Sequence, residues 1–117
     1  MSLNQEKYQA LANLLEQLRS DATNTQLDAT ELRQRLASLH QFFQRQIVPL
    51  ADVDSREQSY RTEISKQLRL LEIDVMFFQG ARQASTVQAR LQTICDRLTT
   101  LMQYCDAILQ LQEPKDK

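Results

Sequence analysis

Apolar residues recur through the first part of the chain at alternating steps of four and three. Leu11, Leu15, Leu18, Ala22, Thr25, Ala29, Leu32, Leu36, Leu39 and Phe43 form one heptad-like stripe, with Thr25 its polar member. A helix on this stripe is predicted to open at Ser2-Leu-Asn-Gln5, a capping box. It should end at Val48, because Pro49 biases its predecessor out of the α region. One soft spot interrupts it: Ser20-Asp-Ala-Thr-Asn-Thr25, whose side chains compete for backbone hydrogen bonds. The unbroken phase favours one long first helix, at most kinked there. A turn at residues 20–25, with Thr25-Gln-Leu-Asp28 capping a new helix, would instead give four helices.

Residues 49–54 read as a loop, and Ser55-Arg-Glu-Gln58 as a second capping box. The next helix should run to Gln79 and stop at Gly80 in the C′ position. After a linker, Ala81-Arg-Gln-Ala84, a third box, Ser85-Thr-Val-Gln88, opens the last helix. That helix carries Val87, Leu91, Ile94, Leu98, Leu101, Cys105 and Ile108 and ends near Gln112, before Pro114. Residues 113–117 form a polar tail. The fold class is therefore all-α: an antiparallel helical bundle forming a single domain over residues 1–117.

The middle helix is unusual in having two apolar stripes. At 100° per residue, Ile64, Leu68, Leu71, Val75 and Phe78 fall within about 40° of one direction. Leu70, Ile73 and Phe77 point about 120–180° away, and Met76 sits on a third flank. A surface helix of a small bundle needs only one stripe, so the second calls for a cover. A folded-back N-terminal half or a second subunit could supply it. A continuous first helix would be about 65–70 Å long, and its overhanging Leu11, Leu14, Leu15 and Leu18 would drive formation of a homodimer. A turn at residues 20–25 would give a monomeric up-down bundle.

Composition narrows the function. One glycine and two prolines in 117 residues exclude glycine-rich phosphate loops, dinucleotide folds and β-sandwiches. Leu occurs 18 times and Gln 17 times, which suits helices. The net charge is −1 with both signs interleaved, so nucleic-acid binding has little electrostatic support. The longest apolar run, Val75-Met76-Phe77-Phe78, is far short of a membrane span. The first residues do not resemble a signal peptide, and Cys95 and Cys105 lie about 15 Å apart along one helix, too far to bridge. A cytoplasmic location is the expectation.

Chemistry is hard to find. His40 is the lone histidine and, with two distant cysteines, cannot complete a zinc site. Asp52-Val-Asp54 opens like a Ca²⁺ loop, but Arg56 stands where the third oxygen ligand belongs, and no glycine or closing Glu follows. Cys105 occupies a heptad position and reads as core. The carboxylates Glu72 and Asp74 read as a solvated face, and Phe43 and Phe78 as core. No catalytic residue, cofactor or metal is assigned, and enzyme activity is not expected.

Two segments carry a family resemblance: Phe42-Phe-Gln-Arg-Gln-Ile-Val-Pro-Leu50 and Gln67-Leu-Arg-Leu-Leu-Glu-Ile-Asp-Val-Met-Phe-Phe-Gln-Gly-Ala-Arg-Gln83. They resemble the cyanobacterial PatD family of heterocyst frequency control proteins, over essentially the whole chain. The resemblance implies a cytoplasmic regulator of heterocyst differentiation, linked to the division GTPase FtsZ, whose assembly such proteins modulate. It carries no functional residues onto positions of this chain. The expected activity is thus non-enzymatic binding of a protein partner through a helical surface. Leu70, Ile73 and Phe77 are the first candidates, and Leu11, Leu14, Leu15 and Leu18 the second. The alternative is a coiled-coil assembly subunit without a regulatory role.

Overall fold

The structure, a computed structural model, describes residues 3–24, 27–51 and 53–112. Four helices follow in order: α1 (Leu3–Asn24), α2 (Ala29–Phe42, continued by a π-helical turn at Phe43–Ile47), α3 (Ser55–Gly80) and α4 (Ala84–Gln112). The described residues contain no strand.

The bundle is up-down-up-down. Arg35 pairs with Asp21 at 3.0 Å, and Lys7 near the start of α1 donates to Gln46 at the end of α2, so these two helices are antiparallel. Arg19 Nη1 donates to Thr99 Oγ1 at 3.0 Å and Thr23 Oγ1 lies 3.7 Å from Cys95 Sγ, which sets α4 antiparallel to α1. Arg97 bonds Asp74 (2.9 Å) and Gln67 (2.9 Å), and the Tyr104 ring lies 6.0 Å from that of Tyr60, which sets α4 antiparallel to α3. Helices α1 and α3 are diagonal partners. All four contribute to one core, including Leu11, Leu15 and Leu18 of α1, Leu36 and Phe43 of α2, Leu68 and Leu71 of α3, and Leu98 and Cys105 of α4.

The favoured long first helix is not formed. The chain leaves helix geometry before Asp28, which caps α2. Its carboxylate accepts from the Glu31 amide at 2.8 Å, and the Glu31 side chain accepts from the Asp28 amide at 3.2 Å. This capping box satisfies two amides that a new helix leaves open. It lies one motif further on than the Thr25 cap considered above; Thr25 itself is outside the described residues. An unbroken helix over α1 and α2 would also be about 65 Å long, whereas the molecule's longest extent is 53 Å. Folding back buries Leu11, Leu15 and Leu18, so the overhang from which a homodimer was expected does not exist.

Other boundaries shift by small amounts. Asp54, not Ser55, caps α3, accepting from the Glu57 amide at 2.8 Å. A carboxylate there also meets the positive end of the helix dipole. At α4 the Val87 amide bonds the Gln83 carbonyl (2.9 Å), so Ser85 lies inside the first turn and is not the cap. Gly80 is the last residue of α3 itself. Ala81 turns into extended geometry (φ −75°, ψ 137°) and its amide bonds the Phe78 carbonyl at 3.2 Å. No left-handed residue ends this helix. The Ser2 capping box falls outside the described residues.

A buried polar cluster holds the end of α2. The Val48 amide reaches back five residues to the Phe43 carbonyl (3.0 Å), which widens the last turn. Pro49 has no N–H to offer, so the chain beyond it needs outside donors. Arg61 supplies them. Its Nη1 donates to the Val48 carbonyl (3.1 Å), its Nη2 to the Leu50 carbonyl (3.2 Å) and its Nε to Tyr8 Oη (3.0 Å). Glu57 lies 3.8 Å from the same guanidinium and also accepts from Asn4, which donates as well to the Ala51 carbonyl. Burial pushes the Tyr8 hydroxyl pKa well above its usual value, against the pull of Arg61.

Candidate protein-interaction surface

The two stripes of α3 have opposite fates. Ile64, Leu68, Leu71 and Val75 are buried, and Phe78 packs against them at the edge. Leu70, Ile73 and Phe77 project from the other side of the helix, away from the core. Ile73 is 44% exposed and Phe77 54%, while Leu70 is half-buried. Met76, 66% exposed, flanks them. No described helix covers the second stripe.

Beside the stripe, a groove of about 450 Å³ opens between the end of α2 and α3. Phe43, Val48, Leu70 and Ile73 supply its apolar lining, and Lys66 and Arg69 stand among the polar residues. Val48 is exposed because it sits at the widened turn, one position beyond the buried Ile47. At the far end of the stripe the Arg90 guanidinium of α4 lies 4.7 Å above the Phe77 ring. Such a cation–π contact keeps the ring's orientation fixed without removing it from solvent.

The sequence-predicted residues separate into two groups. Leu70, Ile73 and Phe77 are brought together on one surface. Leu11, Leu15 and Leu18 are core residues, with at most 2% of their surface exposed, and cannot meet a partner in the folded chain. Leu14 is exposed, but it lines a small cleft with Leu18, Arg35 and Leu39 at the α1–α2 edge. The structure therefore corrects the second candidate set: the chain's own fold consumes three of its four residues. Sequence reasoning passed over Val48, Lys66 and Arg69. The signal for the two basic residues was available, since Lys66 stands four positions before Leu70 and Arg69 four before Ile73, so each shares a side of the helix with a stripe residue.

Glu72 is exposed, as expected of a solvated-face carboxylate, whereas Asp74 is not. Glu72 meets His40 Nδ1 across α2 and α3 at 2.6 Å. Asp74 is largely buried and paired with Arg97 of α4. Cys105 is buried as its heptad position required, and burial, with the nearby Asp106 charge, pushes its thiol pKa up to about 12. Cys95 is half-buried, 3.7 Å from Thr23 Oγ1. Among the described residues no group of three His, Cys, Asp or Glu could hold a metal ion, and no helix is long and apolar enough to cross a membrane.

No curated protein and no solved structure matches the chain. A family model does, over residues 7–105, from the first turns of α1 through most of α4. The match takes in the whole α2–α3 groove and the outward stripe of α3, and on it the chain belongs to the CRR41 C-terminal domain family.

Proposed function

We propose that this protein is a non-enzymatic regulator that acts by binding another protein through the outward face of α3. One observation carries the reading: the bundle's core is complete without Leu70, Ile73 and Phe77, yet Ile73 and Phe77 stand exposed on one face beside half-buried Leu70. Solvent exposure of such a stripe is unfavourable by roughly 25 cal/mol per Å² of apolar surface, and a docked partner would remove that term. The resemblance of Phe42–Leu50 and Gln67–Gln83 to the PatD family supports a partner, FtsZ, and a setting, cytoplasmic control of heterocyst differentiation in cyanobacteria. Mechanistically, a face that binds one assembly state of FtsZ more tightly than the other shifts the assembly equilibrium by that difference. A homodimer formed through the same face is the competing occupant.

Co-sedimentation with FtsZ polymers tests the proposal. The wild-type chain should pellet with the polymer, and the double variant Ile73→Asp, Phe77→Asp should stay in the supernatant. Its thermal melt should be unchanged, because both side chains are exposed. Equal pelleting of the double variant, or none of the wild type, would remove the proposal. Light scattering of the free chain decides the homodimer separately.

A further inference from the structure

We propose that the groove between the end of α2 and α3 takes an acidic amphipathic segment of the partner, a proposal that rests on the reading of α3 as the binding face. The groove combines an apolar lining with a one-sided charge. Phe43, Val48, Leu70 and Ile73 offer the apolar contacts, Lys66 and Arg69 the cations, and no carboxylate lines it among the described residues. The chain as a whole is nearly neutral, with a net charge of −1, so this bias is local. Among the described residues Lys66 is paired with Glu63, at 4.0 Å with side chains 64% and 40% exposed, a contact too weak to cancel the cation. Arg61, the third cation of the lining, is turned inward to Tyr8 and the carbonyls around Pro49. The free basic character therefore comes from Lys66 and Arg69, set on the same side of the helix as Leu70 and Ile73.

A segment that fits this surface places apolar side chains at helical spacing into the lining and Asp or Glu on its flanks. The same charges disfavour a second copy of this chain, which would bring its own cations to the site. Two cations on an apolar floor are also too few for a nucleic-acid backbone.

Two synthetic helical peptides provide the probe, identical in their leucines and carrying either Glu or Lys at the flanking positions. Fluorescence anisotropy at low and physiological salt should show binding of the Glu peptide, weakened by salt, and about tenfold weaker binding of the Lys peptide. The double variant Lys66→Glu, Arg69→Glu should invert that preference with an unchanged circular dichroism melt, and Ile73→Asp should weaken both peptides. Equal binding of the two peptides, binding of neither, or a preference insensitive to the charge reversal would overturn the proposal. So would an Ile73-dependent dimer in light scattering, which would assign the groove to a second copy. The broader reading of α3 is judged apart from this, by whether FtsZ co-sedimentation depends on Ile73 and Phe77.

Discussion

At the scale of single residues, burial sets the chemistry of the few reactive groups. Cys105 titrates near 9 in a solvated chain, and its pKa is pushed up to about 12 in the fold. Between these values the unfolded chain binds fewer protons than the native one, so rising pH favours unfolding. Denaturant melts should show stability level below pH 9 and falling from there toward pH 12, with Tyr8 adding to the fall at its upper end. Cys105→Ala should flatten the lower part of that decline. Gly80 supplies a second residue-scale expectation. It is helical, and a Cβ built there meets nothing within 4 Å. Gly80→Ala should therefore leave the protein unchanged or stabilise it by up to about 1 kcal/mol in thermal denaturation. The sequence suggested the reverse, since glycine after a helical run usually marks a left-handed C′ residue. What ends α3 is Ala81 in extended geometry, a choice of backbone that no residue type announces.

At the scale of elements, the heptad phase was legible and its continuity was misleading. Leu18 and Ala22 in α1, then Leu32, Leu36 and Leu39 in α2, are all core, so each helix was correctly patterned. The step count is preserved between Ala22 and Leu32, so the stripe continues from α1 into α2 as though the two were one helix. The cue that mattered was local: Asp28-Ala-Thr-Glu31, a capping box that nucleates α2 from the inside. Asp28→Ala should cost about 1 kcal/mol of stability, read from the denaturant midpoint, because it leaves the Glu31 amide without its side-chain acceptor. The second stripe of α3 was equally legible, since Leu70, Ile73 and Phe77 could be placed opposite the core from spacing alone. The groove was not, because it needs Val48 from another element, displaced by a π turn that has no sequence signature of its own.

At the scale of the whole molecule, a bundle measuring 53 × 27 × 20 Å buries one stripe from each helix and leaves a further stripe, on α3, largely exposed. An overhanging N-terminal half is absent, and with it the first argument for a homodimer. The bundle's integrity rests also on a cluster that composition could not reveal. Arg61 joins α3 to Tyr8 on the diagonal helix and to both carbonyls flanking Pro49. Arg61→Met should destabilise the protein by about 3–5 kcal/mol, since it removes the cation beside buried Glu57 and leaves two carbonyls without their donor. Arg61→Lys should recover only part of this, because an ammonium cannot span three acceptors in the planar fork that the guanidinium provides. Calorimetry on both variants checks the pair.

The Arg61 cluster also bears on the order of events when the chain is made. The turn after α2 has its hydrogen-bond donors eleven and thirteen residues downstream, so α1 and α2 can pair as a hairpin while the Pro49 corner is still unfinished. That corner closes only after the first two turns of α3 exist and have met Tyr8. Because Val48 shares both the corner and the groove, the groove is completed late, by the same event that commits the third helix to the bundle.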